Sequence, residues 1–300
     1  MTRLRVLELF CGIGGCAAAL DGAGEIVAAV DINRKALAAY GENFPHSVHV
    51  RAIESIAAKT FSSWTADLWW MSPPCQPYTV RGQRRDTSDP RAASFLTLLD
   101  AIPQIKPRFL ALENVPGFYG SDAHARLHAT LERCGYVSKE IMLCPTQLGI
   151  PNRRRRYYCV ASLESLNEWP DLAQTQSPVR WIDILDADAG KDLQVSSDRI
   201  AAYYGAVHIV DTDDPHAISC CFTSSYGRSI TACGSYLKTQ LGHRRFSPAE
   251  ILRLLRFPDA FRLPKSFTPL DAWPLVGNSL SIPAVRYVLS CIPELRIANL

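Results

Sequence analysis

Short apolar runs alternate with helical patterns through the first half of the chain, and this alternation limits the folds open to it. The strand-like runs are RVLELF, EIVAAVD, DLWWMS, RFLALEN, KEIMLC and YYCVAS, and the helical patterns span Cys16–Asp21, Arg34–Asn43, Ala92–Ile102 and Ala123–Cys134. This repetition predicts an α/β fold, a doubly wound, mostly parallel sheet with helices on both faces. Ligands of such sheets bind at the carboxyl ends of the strands.

The alternation stops after Ser162. Residues 163–245 are irregular and predict a smaller domain or a long insertion. Ser247-Pro-Ala-Glu250 then predicts a helix start, with an N-cap serine, a proline at the first position and a glutamate three residues after the cap. Residues 282–292 predict a final helix. We therefore expect three parts, 1–162, 163–245 and 246–300, the last returning to the first domain.

Composition narrows the functional classes. The chain is 47% hydrophobic and 20% charged, and no apolar run approaches the roughly 20 residues of a membrane span. Its ten cysteines are scattered without paired CxxC spacing, so we expect no structural metal. No export signal is visible, so we expect reduced cysteines and a cytoplasmic protein. The net charge of +3 is small, but three clusters of basic residues favour a polyanionic partner.

The stretch MSPPCQPYTVRGQRRD places one cysteine, Cys75, on a proline-rich turn at the end of an apolar strand. Most buried cysteines only fill a core, and core packing is the alternative for this one. Its position at a strand end, before Arg81, Arg84 and Arg85, instead indicates a thiol that faces a ligand.

A second candidate site lies where LELFCGIGG runs from a strand into a glycine-rich turn and then a helix. Backbone amides at such a turn suit a nucleotide or a carboxylate, although a tight turn alone would also need the glycines. Asp31 ends the second strand, where an acid can accept both hydroxyls of a ribose. Together these features predict an adenosine-containing ligand, and the missing Gly-Lys-Ser/Thr excludes a P-loop.

Two further groups lie near predicted strand ends. Glu113 ends the strand LALEN, where partial burial raises the pKa of a carboxyl and could keep it protonated near neutrality. Arg154 and Arg156 lie two apart in GIPNRRRRY and would point the same way on an extended segment. Arginine forks suit carboxylate, phosphate or a pyrimidine carbonyl.

The ordered motifs LELFCGIGG, Asp31, SPPCQP, LENV, NRRRR and VGNS resemble those of the cytosine-5 methyltransferases, and they cover both ends of the chain. Four stretches are similar to those of the branch of DNA methyltransferase relatives that acts on tRNA(Asp): NFPH, MSPPCQPYT, LGIPNRRRRY and Cys-Phe-Thr at 221–223. The resemblance implies a Rossmann-like fold, a target-recognition domain at 163–245, S-adenosylmethionine as cofactor and S-adenosylhomocysteine as product.

Carried over position by position, the resemblance makes Cys75 the nucleophile and Glu113 the contact to ring nitrogen 3, while Arg154 and Arg156 hold the base and the catalytic loop. The implied cofactor residues are Phe10, Ile13, Gly14, Gly15, Asp31, Ile32, Ile53, Glu54, Ser72, Pro73, Asn278 and Ser279. The implied nucleic-acid contacts are Arg81, Arg84, Arg85, Cys221, Phe222, Thr223, Arg244 and Arg245. Two positions depart from the family pattern: Ala52 replaces an acid and Asn152 replaces a glutamine.

The implied reaction adds the Cys75 thiolate to carbon 6 of cytosine, so that carbon 5 can take the methyl group. Its implied target is cytosine 38 in the anticodon loop of tRNA(Asp), and we expect a monomer. The first alternative is methylation of DNA, which would need a recognition region larger than the about 80 residues between Ser162 and Gly242. A catalytically silent nucleic-acid-binding homologue would not need the thiol, and a thiol oxidoreductase would need a resolving cysteine.

Overall fold

A computed structural model describes residues 3–78, 86–174, 178–187 and 190–297. The chain forms two compact units. The first comprises residues 1–143, 155–170 and 285–300, and the second comprises 144–154 and 171–284. The predicted functional division at residues 162 and 245 stays a prediction, since compactness groups 246–284 with the irregular segment before it.

The first unit is built on a seven-stranded sheet in the order β3-β2-β1-β4-β5-β8-β6. Four neighbouring pairs are parallel, and β8 runs antiparallel to β5 and β6, which confirms the predicted mostly parallel α/β sheet. Its strands are β1 (Leu4–Leu9), β2 (Gly24–Asp31), β3 (Val48–Val50), β4 (Leu68–Met71), β5 (Phe109–Asn114), β6 (Val137–Leu143) and β8 (Arg156–Ser162).

The helices of this unit largely follow the sequence pattern. They are α1 (Gly15–Leu20), α2 (Arg34–Asn43), α3 (Ala58–Ser63), α4 (Ala93–Ile105) and α5 (Asp122–Cys134). Helix α5 begins one residue before the predicted start, after Ser121, whose hydroxyl accepts the His124 N–H, and it ends at Cys134 as predicted, before Gly135 in the left-handed region. Helix α4 continues past the predicted end at Ile102, through Pro103, to Ile105.

Residues buried on both sides of the central strands explain why this sheet holds together. All residues of β4 and β5 are buried, because parallel strands in the middle of such a sheet are covered on both faces. The core between sheet and helices includes Trp69, Phe95 and Phe118. Strand ends, rather than strand bodies, are therefore the places where polar groups can serve a ligand.

The second unit contains two small sheets and short helices. A four-stranded sheet has the order β10-β12-β13-β9, and β7 pairs with β11. The strands are β7 (Asn152–Arg153), β9 (Gln194–Val195), β10 (His208–Val210), β11 (Ser219–Cys220), β12 (Ser235–Thr239) and β13 (Gly242–Arg245). The helices are α6 (Ser197–Ala201), α7 (Pro248–Leu254) and α8 (Pro269–Gly277). The capping box of Ser247 and Glu250 forms at the start of α7, as predicted.

Helix α9 (Ile282–Leu289) brings the chain back to the first unit. From this helix, Arg286 donates through Nε to the carbonyl of Ala19 at 3.1 Å, at the end of α1. None of the helices in the described residues is both long and apolar enough to cross a membrane.

Candidate active site

The loop after β4 carries the thiol. Ser72, Pro73 and Pro74 follow the strand, and the two prolines restrict the backbone before the half-buried Cys75. A 3₁₀ turn at Gln76–Tyr78 comes next, where the Tyr78 N–H donates to the Cys75 carbonyl at 3.0 Å. Sequence and structure thus place the thiol just beyond the carboxyl end of a central strand.

The predicted acid ends the neighbouring strand. Strands β4 and β5 are parallel, with Met71 opposite Leu112, so the loop that carries Cys75 and the buried Glu113 belong to adjacent strand ends. Asn114 links the two ends, because its side-chain amide donates to the Pro73 carbonyl at 3.4 Å. Asn114 is not among the predicted site residues, although it follows Glu113 in the LENV motif.

Arg156 reaches the acid because of strand direction. Strand β8 runs antiparallel to β5, so its first residue lies near the last residues of β5. The Arg156 Nε lies 3.0 Å from Glu113 Oε1, and both side chains are largely buried. The contact with the Arg156 guanidinium fixes the direction of the Glu113 carboxyl, and the protonation of that carboxyl expected from the sequence stays a prediction.

A close backbone contact also joins the two strand ends. Gly117 lies in the 3₁₀ turn Pro116–Phe118 after β5. A Cβ atom at Gly117 would lie 2.2 Å from the Tyr78 carbonyl oxygen, which is a clash with backbone. Only glycine fits between these turns, and Gly117 is not among the residues predicted from the sequence.

The turn after β1 has a backbone conformation that requires its glycines. Gly12 and Gly14 have φ angles of +54° and +91°, and a Cβ at Gly14 would lie 2.5 Å from the Phe44 ring. Asp31 accepts the N–H of Gly12 at 2.9 Å and that of Asn33 at 2.8 Å, so its carboxylate is fixed beside the turn. Burial raises the pKa of Asp31 above its usual range.

The other predicted cofactor residues of the first unit lie along the same edge of the sheet, at the ends of four adjacent strands. Ile32, after β2, is 69% exposed and offers an apolar surface. The remaining positions are Phe10 after β1, Ile13 and Gly15 in the turn, Ile53 and Glu54 in a 3₁₀ turn after β3, and Ser72 and Pro73 after β4. The topology therefore brings together residues that are far apart in sequence.

A buried acid lies beneath the glycine turn. Glu8 accepts the Cys16 N–H at 3.0 Å and the Tyr40 hydroxyl at 3.1 Å, and the Tyr40 oxygen is 2.9 Å from His46 Nδ1. Burial raises the pKa of Glu8 to about 8, against the hydrogen bonds that favour its charge. Glu8 thus ties β1 to the start of α1 and to α2.

The second predicted arginine has a different environment. Arg154 belongs to the second unit and is buried. Its Nη1 donates to the carbonyls of Phe222 and Gly277, both at 3.1 Å, and lies 3.2 Å from Cys221 Sγ. Its Nη2 donates to the Ser279 carbonyl. These bonds make Arg154 a link between two sequence motifs, and its contact to a base stays a prediction.

The Cys-Phe-Thr and VGNS motifs therefore form one cluster within the second unit. A Cβ at Gly277 would lie 2.4 Å from the Thr223 carbonyl oxygen, so the two segments are in direct backbone contact. Phe222 is buried, whereas Cys221 and Thr223 are partly exposed. Asn278 is exposed at the end of α8, and Ser279 is buried.

The predicted nucleic-acid arginines divide into three groups. Arg244 is buried, and its two Nη atoms donate to Glu250 at 2.8 and 2.7 Å, so its predicted contact with a nucleic acid stays a prediction. Arg245 lies over the Trp273 ring, and its buried Nε has no hydrogen-bond partner among the described residues. Arg81, Arg84 and Arg85 lie outside the described residues.

Comparisons with known proteins agree with this geometry. The model of the family described as C-5 cytosine-specific DNA methylase matches residues 4–181. A tRNA (cytosine(38)-C(5))-methyltransferase of Schizosaccharomyces pombe is 34% identical, over 97% of this chain and 97% of its own. A DNA (cytosine-5)-methyltransferase of Dictyostelium discoideum is 30% identical, over 97% and 95%.

The solved structure of the Entamoeba histolytica methyltransferase EhMeth is similar over 96% of this chain and 98% of that one, with a TM-score of 0.89 and 29% identity. The likeness thus extends over both units and not only over the sheet. The family match covers the glycine turn, the thiol loop, Glu113, Arg154 and Arg156. The chain therefore belongs to the C-5 cytosine-specific methylase family and is a methyltransferase.

Proposed function

We propose that the protein transfers a methyl group from S-adenosylmethionine to carbon 5 of cytosine 38 in the anticodon loop of tRNA(Asp). The observation that carries this proposal is the placement of Cys75 and Glu113 on adjacent strand ends, with Arg156 paired to the acid. The name of the S. pombe relative supports the tRNA substrate. A cytoplasmic location, favoured by the scattered cysteines without paired spacing, and a monomeric state are also part of the proposal.

The glycine turn fits the proposed cofactor. The Asp31 carboxylate beside this turn accepts one backbone N–H on each oxygen and retains lone pairs for ribose hydroxyls. Ile32 adds an exposed apolar side chain beside that acid, suited to the face of a purine. S-adenosylmethionine supplies an electrophilic methyl group on a sulfonium, and S-adenosylhomocysteine is the product.

The side chains of this chain would then act on the cytosine. Carbon 5 is a poor nucleophile until the Cys75 thiolate adds to carbon 6, which turns the ring into an enamine. Glu113 would hydrogen-bond ring nitrogen 3 and so stabilise the charge that develops during addition. Arg156 would hold Glu113 in the direction that this contact requires. Removal of the carbon 5 proton then allows elimination, which frees Cys75.

An anticodon loop suits this site, because its bases are unpaired and cost less to turn out than bases in a duplex. In the second unit, Cys221, Thr223 and Arg245 would contact the RNA. Methylation of DNA is the second candidate, favoured by the name of the Dictyostelium relative.

The test supplies tritiated S-adenosylmethionine with three acceptors in parallel: total tRNA, tRNA from cells that lack this gene, and unmethylated DNA. We expect label in the deficient tRNA alone, at cytosine 38, and no label with Cys75→Ala. Cys220→Ala removes another half-buried thiol and serves as the matched control, with activity retained. Label in DNA alone would overturn the substrate, and label with Cys75→Ala would overturn the nucleophile.

A further inference from the structure

Helix α5 carries two histidines one turn apart, on the side that faces strand β6. Positions four apart on a helix lie on the same face, so His124 and His128 present their rings together. Glu140 of β6 lies opposite them. All three residues belong to the first unit, and none of them has a part in the proposed methyl transfer.

The three side chains converge on a single point. His124 Nε2 lies 2.9 Å from Glu140 Oε1, and His128 Nε2 lies 2.6 Å from the same oxygen. The atoms that could bind a metal all lie within 4.8 Å of one another. The Tyr157 hydroxyl also donates to Glu140 Oε1, which fixes the carboxyl from the side of β8.

The rings are held in place by neighbouring aromatic side chains. The His124 ring lies 4.6 Å from that of His128 and 4.9 Å from that of Tyr119, measured between centroids. Phe118 and Tyr157 contact His124 from two further sides, at 5.8 and 5.5 Å. Little rearrangement of the rings is therefore needed for binding.

Two imidazole nitrogens and one carboxylate oxygen are a ligand set that binds zinc, with a fourth position left to water. Zinc bonds of ~2.0–2.1 Å in a tetrahedron place neighbouring ligand atoms ~3.3 Å apart. The contacts of 2.9 and 2.6 Å would widen by less than one ångström to admit the ion. The side chains of His124, His128 and Glu140 are 15%, 35% and 27% exposed, which allows an ion to enter from solvent.

We propose that His124, His128 and Glu140 bind one zinc ion. The ion would join α5 to β6 and replace the direct contacts of both histidines with the carboxyl. Tyr157 pairs with Asn114 in the sheet, so the same ion would also stiffen the end of β5. This proposal does not rest on the methyl transfer, and its test does not measure activity.

The test uses the full chain freed of metal with a chelator and titrated with zinc in a calorimeter. We expect one ion per chain and a rise in Tm with zinc concentration, since zinc would bind the folded state alone. His128→Ala should weaken binding by more than the about 10- to 100-fold that loss of an outer-shell partner causes. Glu140→Gln keeps an acceptor for Tyr157 and should weaken binding with the fold intact. His216→Ala, an exposed histidine of the second unit, is the matched control and should bind like the parent.

Cobalt, substituted for zinc, distinguishes this site from the ten cysteines. The expected spectrum shows cobalt absorption without a thiolate charge-transfer band, lost in His128→Ala. A thiolate band would overturn the proposal, as would zinc affinity that is equal in His128→Ala, Glu140→Gln and the parent. Failure to bind one ion per chain would also overturn it.

Discussion

Two glutamates that are fully removed from solvent are accommodated in opposite ways by the two units. Glu8, in the first unit, receives hydrogen bonds from Tyr40 and from a backbone amide, and no basic side chain of the described chain pairs with it. Glu250, in the second unit, receives both ends of Arg244 and two backbone amides, those of Asp186 and Ser247. Burial raises the pKa of the first carboxyl to about 8 and so favours its neutral form, whereas the second carboxyl is paired with an arginine.

The difference shows which change would lower the stability of each unit. A neutral buried acid makes stability depend on pH, because burial makes its ionisation costlier in the folded chain than in the unfolded chain. A buried ion pair makes stability depend on having both partners, because either charge alone is costly. Glu113 is also a buried carboxyl, and it contacts one arginine at a strand end. Because it lies in the candidate active site, we expect its replacement to change activity.

The largest expected effect is on Glu113→Gln. The amide keeps the shape but cannot give a proton to ring nitrogen 3, so we expect kcat to fall by about 10²- to 10⁴-fold, the value of general acid assistance. Steady-state methylation of tRNA measures it. Glu132→Gln, on the exposed face of α5, is the control and should leave kcat unchanged. Near-normal turnover of Glu113→Gln would remove this acid from the chemistry.

Breaking the ion pair of the second unit should cost the most stability. Arg244→Met leaves Glu250 as an unpaired buried charge, and we expect the free energy of unfolding to fall by about 3–5 kcal/mol. Arg244→Met combined with Glu250→Gln removes that charge and should recover more than half of the loss. Urea unfolding of both variants decides it, and equal losses would show that packing, not charge, explains the effect.

Glu8→Gln tests the neutral acid through pH. Its folded pKa of about 8 lies above the ordinary value of 4.5, so the unfolded chain releases this proton first as pH rises. The contribution of Glu8 is therefore complete below pH 4.5 and is lost towards pH 8. We expect the parent to lose about 1.4 kcal/mol per pH unit relative to Glu8→Gln between pH 5.5 and 7.5. Parallel urea curves at all pH values would contradict the raised pKa.

Arg154→Lys should have the smallest effect of the four. Lysine keeps the charge but cannot reach two carbonyls on separate segments at once, so we expect about 1–3 kcal/mol of lost stability. Urea unfolding measures the loss. Arg155→Lys, at an exposed neighbouring position, is the control and should change stability little. A wild-type stability for Arg154→Lys would mean that these bonds do not hold the two motifs together.

Local pattern was sufficient for six of the seven strands of the large sheet and for most of its helices, but not for β3, for α3 or for the short strands of the second unit. Alternation of apolar runs and the cap at Ser247 are encoded within a few residues, and the structure confirms them. Contacts between distant segments were not predictable in this way. Arg154 and Arg156 look equivalent on an extended segment. In the structure, however, Arg154 donates a hydrogen bond to the carbonyl of Gly277, 123 residues later.

The histidine pair shows a different limit. The spacing of His124 and His128 on a predicted helix was visible in the sequence, but the expectation of no metal considered cysteines alone. Glu140 completes the set from a strand that begins after the helix ends, and its alignment depends on sheet register. The position of the Glu140 carboxyl depends on packing between the helix and the sheet, which no short sequence motif encodes.

The close contact at Gly117 limits which natural variants can be tolerated at this position. Every missense change at this codon adds at least one carbon atom, and even alanine would press on the Tyr78 carbonyl. The harm therefore does not depend on the size or charge of the new residue, as it does at most surface positions. In a population of variants, position 117 should show only glycine, while its neighbour Tyr119, which is exposed, should vary.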